Sequence, residues 1–313
     1  MVTAGENKGR GERFEATADQ ADRRLDRVLR GLFGDVPLGA IMRAIRKGQV
    51  RVNGERTTGN ERLSEGDVVD VPWEAGMTRE CAEPAGGEAR TPPLTLYRDA
   101  DVWCVEKEAG LLSQPDRRGA DSLITRVWAE LSWVRRDFRP ALLHRLDRNV
   151  SGVVVVALNA PVLRTLSRLL REGQIRKIYR ALVVGRTPAL GEISFSLSKN
   201  EQDNLVAVDE SGKEALTRFR RIAGGDRTTL VELELVTGRS HQARVHMASI
   251  GHPIIGDAKY GRGNRQTDAG RLMLHAYSVA FPLDEALPER LRGLSVESPI
   301  PSVFNRFSFL SEN

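Results

Sequence analysis

The most constraining feature of the chain is the segment HRLDRNVSG, residues 144–152, which places one carboxylate between two guanidinium groups. Asp147 lies between Arg145 and Arg148, just before the apolar run of residues 153–158. Nearby cations favour the ionised carboxylate, and the same arginines could hold the phosphates of a polyanion. An isolated string of this kind is more often a salt-bridged turn before a buried strand than a catalytic site, so the remaining sequence must decide.

Length and composition indicate a folded protein. The chain has 313 residues, enough for two domains, and its hydrophobic content of 40% supports real cores. Its longest apolar run is about six residues, far short of a membrane span, and the N-terminus has no apolar signal core. We therefore expect a cytoplasmic protein. Cys81 and Cys104 have neither disulfide nor zinc-site spacing and are expected to be ordinary reduced cysteines.

Positive charge is concentrated in two stretches, although the net charge is only +5. Residues 135–180 carry 11 Arg or Lys against three acidic residues, and residues 22–56 carry nine against four. Two basic patches are typical of a nucleic-acid-binding protein. Charge runs are usually solvated helix faces, however, so each patch needs a second feature.

The N-terminal part has a regular pattern only after a polar, aperiodic start. Residues 1–21 are predicted to be a disordered leader. Apolar residues then recur at helical spacing in two segments separated by the breaker at residues 34–37, and the second segment ends at Gly48. A hairpin turn at Asn53-Gly54 and a strand at residues 68–71 follow. The residues predicted to face inward are Leu25, Val28, Leu29, Leu32 and Phe33 in the first helix and Leu38, Ile41, Met42 and Ile45 in the second.

Residues 22–74 resemble the small RNA-binding module named after ribosomal protein S-four, also called the alpha-L motif. In that family the paired helices and the adjoining loop bind structured RNA. The resemblance implies phosphate contacts by Arg43, Arg46, Lys47 and Arg51, which would position the protein without reading sequence. A compact basic pair of helices with a hairpin would indicate a nucleic-acid binder even without the resemblance.

The remaining chain is predicted to be a linker, residues 75–93, followed by a larger domain, residues 94–313. The linker segment is rich in Gly, Pro, Ala and charge and has no apolar periodicity. Short strands are predicted at 94–97, 102–105, 153–158, 177–184 and 229–236, with a helix beginning near Asn159 and ending at Gly173. Since no regular βαβ repeat is present, we expect an α+β fold with a mixed, mainly antiparallel sheet flanked by helices and loops.

A second dense region, residues 237–261, combines polar and apolar residues. His241 and His246 suggest a metal site, but a spacing of five places them on different helical faces and no third ligand is spaced to join them. Zinc is therefore disfavoured, and hydrogen-bonded structural roles are expected for His241, His246 and His252. Arg239 and Arg244 are fixed cations that could pair with a carboxylate or a phosphate.

Taken in order, these segments resemble the RNA pseudouridine synthases of the RluA/RluC/RluD group, most closely those acting on large-subunit rRNA. The segments that carry the resemblance are the RNA-binding module, HRLDRNVSG, KIYRALVVG at 177–185, TGRSHQARVHMASIGHPIIGD at 237–257 and RLMLHA at 271–276. The chain departs from many relatives at Asn149-Val150, where they have Asp-Thr, and at Lys107-Glu108, where they have Lys-Pro.

The resemblance implies the roles of the site residues. Asp147 would be the nucleophile, Arg244 would pair with it, and Tyr179 would stack on the flipped base or take a proton from it. Arg145 would help to hold the base stack open, and with Arg148 it would contact RNA. The residues leave open whether Asp147 attacks the uracil ring or the ribose.

The implied reaction converts uridine to pseudouridine without a redox change, so no cofactor and no metal are expected. The sequence contains neither a phosphate-binding loop nor a dinucleotide fingerprint. RNA is the expected partner, and a monomer is expected. Two alternatives stay open: a catalytically silent RNA-binding or ribosome-assembly factor, and a metal-dependent nuclease acting through His241, His246 and Asp257.

Overall fold

The computed structural model describes residues 11–34, 36–73, 91–116, 119–131, 138–200, 203, 205–261 and 270–304. The chain divides into two compact units. The N-terminal unit contains residues 1–90, 128–140 and 158–161, and the larger unit contains residues 91–127, 141–157 and 162–313. Of the predicted linker, residues 75–90 lie outside the described residues, and residues 91–93 are in neither a helix nor a strand.

The N-terminal unit contains two short helices and a small antiparallel sheet. Its elements are β1 (Glu12–Glu15), α1 (Leu25–Leu32), α2 (Leu38–Arg46), β2 (Arg51–Val52), β3 (Glu55–Arg56) and β4 (Val68–Val71). The sheet has the order β1-β4-β2-β3. Leu25, Leu29 and Ile41 are fully buried, as their helical spacing predicted. The predicted helices, the Asn53-Gly54 turn and the strand at 68–71 are therefore confirmed.

Two predictions for this unit are wrong. Residues 12–15 are not part of a disordered leader, because β1 pairs with β4 and the Glu12 N–H donates to the carbonyl of Trp73 at 3.0 Å. A four-residue strand with one apolar side chain, Phe14, is too short for its periodicity to be recognised. Leu38 does not face inward but is 46% exposed, because it is the first residue of α2. Residues 1–10 of the predicted leader lie outside the described residues.

The rest of the described chain is built around one large sheet. Its elements are β5 (Leu94–Arg98), β6 (Val102–Lys107), α3 (Leu123–Glu130), β7 (Ala141–Leu142), β8 (Ser151–Ala157), α4 (Ala160–Arg171), β9 (Arg176–Val184), β10 (Leu190–Ile193), β11 (Leu197–Asn200), β12 (Leu205–Val208), β13 (Thr217–Gly224), β14 (Thr228–Leu235), α5 (Gln242–Ser249), β15 (Leu274–Ala280) and β16 (Ser295–Glu297), with 3₁₀ helices at Glu289–Leu291 and Ser302–Phe304.

The large sheet is mixed and mainly antiparallel, as expected for the α+β class. Its main path is β10-β13-β14-β9-β15-β8-β6-β5; β16 pairs with β15, and β7 pairs with β8. β15 and β8 run parallel, whereas the other paired strands of this sheet are antiparallel. Every residue of β8 is buried, which explains its unbroken run of valines. Within the described residues, no helix is long and apolar enough to cross a membrane.

The second residue of β8 is a glycine that the sheet requires. Gly152 has a φ of 123°, and a Cβ placed on it would lie 2.1 Å from the carbonyl oxygen of Ala276 in β15. The two strands thus approach closely where β8 leaves the loop that carries Asp147. No residue other than glycine fits this position without moving one strand.

We predict that Gly152→Ala lowers the free energy of unfolding by roughly 2–5 kcal/mol, since it adds a left-handed backbone penalty to a steric clash. Urea unfolding followed by circular dichroism measures the change. Gly225→Ala is the matched control, because an added Cβ there meets nothing within 4 Å. Equal stability of the two variants would contradict the close approach of β8 and β15.

Candidate active site

Asp147 lies in the loop between β7 and β8, which is held by the backbone of its own turn and by a buried serine. The Val150 N–H donates to the carbonyl of Asp147 at 3.0 Å. The Ser113 hydroxyl donates to the carbonyl of Leu146 at 2.7 Å and accepts the Leu146 N–H at 3.1 Å. The residue before Asp147 is therefore fixed through both of its backbone groups.

A buried lysine ties the same loop to the end of β6. The Lys107 ammonium donates to the carbonyls of Glu108 at 2.8 Å, Leu111 at 2.7 Å and Arg148 at 3.1 Å. Burial lowers the pKa of Lys107 to about 7, although the charge of Asp147 opposes this effect. In the sequence, Lys107 stands out only as part of a departure from relatives. Its anchoring role leaves no sequence pattern, because its three acceptors are backbone atoms.

Arg244, on α5, connects Asp147 to a second carboxylate. Its Nη1 donates to Oδ2 of Asp147 at 3.1 Å, while its Nε and Nη2 donate to the two oxygens of Asp257, each at 2.7 Å. The Asp257 side chain is completely buried and also accepts the backbone N–H groups of Lys259 at 2.9 Å and Tyr260 at 3.1 Å. Asp257 therefore sets the orientation in which Arg244 meets Asp147.

The Arg244–Asp257 pair is ionised despite its burial. Burial by itself would raise the pKa of Asp257, but the hydrogen bonds and charge of Arg244, together with two backbone N–H donors, lower it below its ordinary value. Burial likewise opposes the charge of Arg244, but the two carboxylates raise its pKa.

His241 approaches the same oxygen of Asp147 from another side. Its Nε2 lies 3.6 Å from Oδ2, and its Nδ1 lies 2.6 Å from the hydroxyl of Tyr260, which accepts the Val206 N–H at 2.9 Å. This pattern assigns the hydroxyl as donor to Nδ1 and places the proton of a neutral His241 on Nε2, towards Asp147. Burial lowers the pKa of His241, and the charge of Asp147 opposes the shift, so the neutral ring is favoured.

Tyr179 lies in the middle of β9, where it pairs in register with Leu233 and Ala276. Its side chain is buried, and burial together with the charge of Asp147 raises the pKa of the phenol. The phenol therefore stays protonated at neutral pH.

A cleft of about 1370 Å³ brings together Asp147, Tyr179, Arg244 and His241. Basic residues make up much of the rest of its polar lining: Arg145, Arg148, Arg171, Lys177, Lys199, Arg239 and Lys259. The cleft thus combines one half-exposed carboxylate with a basic wall, which suits a substrate that carries negative charge.

The cations next to Asp147 in sequence are not its ion-pair partners. Among the described residues, Asp147 forms an ion pair with Arg244, and Nε2 of His241 lies 3.6 Å from the same oxygen. Arg145 is exposed, and the Nε of Arg148 donates to the carbonyl of Gly110 at 3.0 Å. Both arginines line the cleft, where they remain available to a bound polyanion. The expectation that they are the cations next to Asp147 is therefore wrong, because the guanidinium in contact with this carboxylate is that of Arg244.

The predicted RNA contacts of the N-terminal unit share one property, which is exposure. Arg43, Arg46, Lys47 and Arg51 are all exposed on or just after α2. Arg43 donates to the carbonyl of Gly39 at 3.2 Å, and Arg51 donates to that of Gly54 at 2.8 Å. The side chains of Arg43 and Arg51 are therefore oriented by the local backbone.

The histidines do not form a metal site. His246 contacts the Thr217 hydroxyl and the Phe195 carbonyl, each at 3.0 Å, and His252 contacts the Val184 carbonyl at 2.9 Å, so both have the structural roles expected. Asp257 is occupied by Arg244. In the part of the chain that the structure describes, no group of three His, Cys, Asp or Glu side chains could hold a metal ion, which overturns the nuclease alternative.

Comparison with known proteins identifies the family to which the chain belongs. The family described as RNA pseudouridylate synthase matches residues 101–249, and the S4 domain matches residues 23–69. Ribosomal large subunit pseudouridine synthase C of Escherichia coli (strain K12) is 36% identical over 312 residues, covering 89% of this chain and 95% of that protein. The protein of the same name from Vibrio vulnificus is 35% identical over 279 residues, covering 84% and 86%.

A solved structure, human RNA pseudouridylate synthase domain containing 1, is also similar. It has a TM-score of 0.56 and 26% identity, and the match covers 68% of this chain and 86% of that one. The chain belongs to the RNA pseudouridylate synthase family, and it is an isomerase with an S4 RNA-binding domain before its catalytic domain.

We predict that Asp257→Asn lowers the free energy of unfolding at neutral pH by about 3 kcal/mol, because the buried Arg244 loses its completely buried counter-ion and keeps only the single contact to Asp147. Asp226→Asn, at a side chain that is 84% exposed, is the control and should change it by less than about 0.5 kcal/mol. Chemical denaturation measures both.

The pH dependence of stability provides a second check on the same variant. Since the folded-state pKa of Asp257 is depressed, its stabilising contribution is complete above the unfolded-state pKa of about 3.9 and is lost as the pH falls through the lower folded-state value. The difference between wild type and Asp257→Asn should therefore shrink below about pH 4. A difference that is constant with pH would refute the ionised pair.

Proposed function

We propose that Asp147 is the nucleophile that isomerises uridine in RNA to pseudouridine, and that Arg244 keeps it ionised and oriented. The observation that supports this most directly is that the two oxygens of the Asp147 carboxylate have different surroundings. Among the described residues, Arg244 and His241 both approach Oδ2. Oδ1 is then the oxygen that forms the bond to the substrate, while the held oxygen keeps the carboxylate from rotating.

The proposed reaction balances without an oxidant. The bond between ribose C1′ and ring N1 breaks, the uracil rotates, C1′ bonds to C5, and the proton on C5 is lost while N1 gains one. Asp147 forms a transient covalent bond either to the uracil ring or to C1′, and both routes are compatible with an anionic carboxylate at this position. Arg244, ion-paired with Asp257, stabilises the anionic carboxylate of Asp147 before the covalent bond to the substrate forms and again after that bond breaks.

Tyr179 is proposed to stack on the uracil ring. Its raised pKa argues against a direct role as a base at neutral pH, because an ionised phenol would be disfavoured by burial and by the charge of Asp147. If Tyr179 does accept the C5 proton, its own hydroxyl proton must first pass to a neighbour. Stacking requires no such transfer and uses the rigid position of the ring in β9.

The target base must leave its stack to reach Asp147, which costs a few kcal/mol. We propose that Arg145 and Arg148 offset this cost through contacts with the flanking nucleotides, because both are exposed on the same loop as Asp147 and line its cleft. Arg43, Arg46, Lys47 and Arg51 would add phosphate contacts from the S4 domain.

Large-subunit ribosomal RNA is the proposed substrate. The supporting observation is that relatives 35% and 36% identical to this chain are named ribosomal large subunit pseudouridine synthase C. Action on such RNA would place the enzyme in the cytoplasm, and we propose that it acts there as a monomer without a metal ion. Mapping pseudouridines in large-subunit rRNA from cells with and without the gene tests the substrate, and unchanged maps would refute it.

We predict that the purified protein releases tritium from RNA labelled at uracil C5, and that Asp147→Asn reduces release to background while RNA binding stays within about twofold of wild type. The amide keeps the size of the side chain but cannot act as the nucleophile. Arg98→Gln, outside the cleft lining, is the control and should retain activity. An active Asp147→Asn protein would refute the mechanism, and a wild type that binds RNA but releases no tritium would favour the silent binding factor.

We also predict that the double variant Arg46→Gln, Lys47→Gln weakens RNA binding and flattens its salt dependence. Each lost phosphate contact lowers the slope of log affinity against log salt by about 0.7–0.9. Arg13→Gln is the control, since Arg13 is exposed but pairs with Asp70 at 2.6 Å. Filter binding over a range of KCl concentrations measures the slope, and equal slopes for the double variant and wild type would remove these residues from the RNA surface.

A further inference from the structure

Three residues of the larger unit that carry a cation are buried, and one of them has neither a counter-charge nor a hydrogen-bond acceptor among the described residues. The Lys107 ammonium donates to three carbonyls, and the Arg244 guanidinium donates to two carboxylates. Lys177 is 9% exposed, yet among the described residues no hydrogen bond or ion pair reaches its ammonium. Lys177 therefore differs from both of the other buried cations.

An unpaired buried ammonium is costly. Taking an ammonium out of water is unfavourable unless an anion or several acceptors replace the water, and burial accordingly lowers the pKa of Lys177. The ammonium itself is not fully enclosed: among the described residues, the side-chain atoms that are buried without a hydrogen-bond partner are Arg180 Nη1, Thr187 Oγ1 and Ser298 Oγ. Lys177 lines the open cleft, so a ligand that supplies the missing negative charge can reach its Nζ.

The position of Lys177 relates it to the site of reaction. Lys177 and Tyr179 are alternate residues of β9, so their side chains leave the same face about 7 Å apart. Both line the cleft that contains Asp147. In a nucleotide the sugar separates the phosphate from the base, as the spacing along β9 separates Lys177 from Tyr179. A base stacked on Tyr179 would therefore bring a neighbouring phosphate close to Lys177.

The surroundings leave the ammonium accessible to an anion. A Cβ placed on Gly238, an exposed residue of the loop before α5, would lie 3.4 Å from the Lys177 Nζ, so the glycine leaves this side uncovered. The acidic residue at this end of the cleft is Glu172, and its carboxylate already accepts from Arg168 at 2.9 Å and from Gln174 at 3.2 Å. Arg171 lines the same end of the cleft and adds positive charge.

We propose that Lys177 is a phosphate-binding residue that takes the RNA phosphodiester next to the flipped uridine as its counter-ion. The proposal rests on the RNA substrate of the proposed function and assigns one contact within it. The ammonium meets this phosphate when the nucleotide has turned into the cleft, so the contact offsets part of the cost of unstacking. Binding the anion also satisfies the one buried cation of the cleft that the described residues leave unpaired.

The first test compares Lys177→Met with Lys213→Met, because methionine keeps the unbranched chain and removes the charge. Lys213 is exposed and lies outside the cleft lining. In Lys177→Met we expect the dissociation constant for substrate RNA to rise about tenfold and the salt slope to fall by about 0.7, as for one lost phosphate contact. Lys213→Met should keep the slope of wild type, and a wild-type slope in Lys177→Met would overturn the proposal.

The stability of Lys177→Met separates a phosphate-binding lysine from one that only supports the fold, since removing a lysine that supports the fold would lower the stability. Because burial disfavours the charge of Lys177 and no partner among the described residues offsets this cost, Lys177→Met should unfold at the same urea concentration as wild type or at a higher one. A less stable or unfolded Lys177→Met protein would overturn the description of Lys177 as a charge without a partner.

The second test neutralises the phosphate instead of the lysine. RNAs carrying a single neutral methylphosphonate, placed at each linkage around the mapped target uridine, are bound to wild type, Lys177→Met and Lys177→Arg. At one linkage, wild type and Lys177→Arg should lose about tenfold in affinity, whereas Lys177→Met should lose almost nothing, so the two changes are not additive. Equal losses in wild type and Lys177→Met at every linkage would refute the contact.

Failure of this proposal can be told apart from failure of the proposed function. A wild-type protein that releases no tritium from RNA labelled at uracil C5 refutes the function. Normal release combined with additive effects of Lys177→Met and the neutral linkages refutes the phosphate contact alone.

Discussion

The arrangement of the catalytic unit depends on how one guanidinium divides its N–H donors between two carboxylates. Asp257, whose side chain is completely buried, takes two of these donors, and Asp147, whose side chain is 33% exposed, takes one. The buried carboxylate compensates most of the charge of Arg244, so Asp147 meets a cation that attracts it through a single contact. An ion pair of this kind orients the anion without enclosing both of its oxygens, which a nucleophile needs in order to react.

The loop that carries Asp147 is fixed by distant parts of the fold. Ser113 holds the backbone of Leu146, Lys107 holds the carbonyl of Arg148, and Gly152 lets β8 start directly against β15. Ser113 belongs to the loop that follows β6, Lys107 is the last residue of β6, and Gly152 lies in the parallel pair of β8 and β15. The geometry of the site is therefore a property of the whole sheet, because its sequence motif supplies the reacting groups but not their supports.

The sequence predicted the elements whose apolar periodicity is visible locally, including α1, α2 and the buried strands β6, β8 and β9. It did not predict α5, because residues 242–247 of this helix are all buried and the helix therefore has no apolar stripe. The residue before the helix, His241, has a φ of 52°, which is not a typical helix start. Nor could the residues alone place Arg244, 97 positions away in the chain, against Asp147. That pairing came from the family resemblance, and the roles of Asp257, Lys107 and Lys177 emerged only with the three-dimensional contacts, which leave no local pattern.

Two hydrophobic cores of the described chain consist of separate sets of residues. The core around Leu25, Ile41 and Val69 is built within residues 14–73, whereas that of β8, α4 and β15 is built within residues 96–296. A substitution in one core is therefore absorbed by neighbours that belong to the same core. The packing of either core can therefore change without changing the residues that form the other.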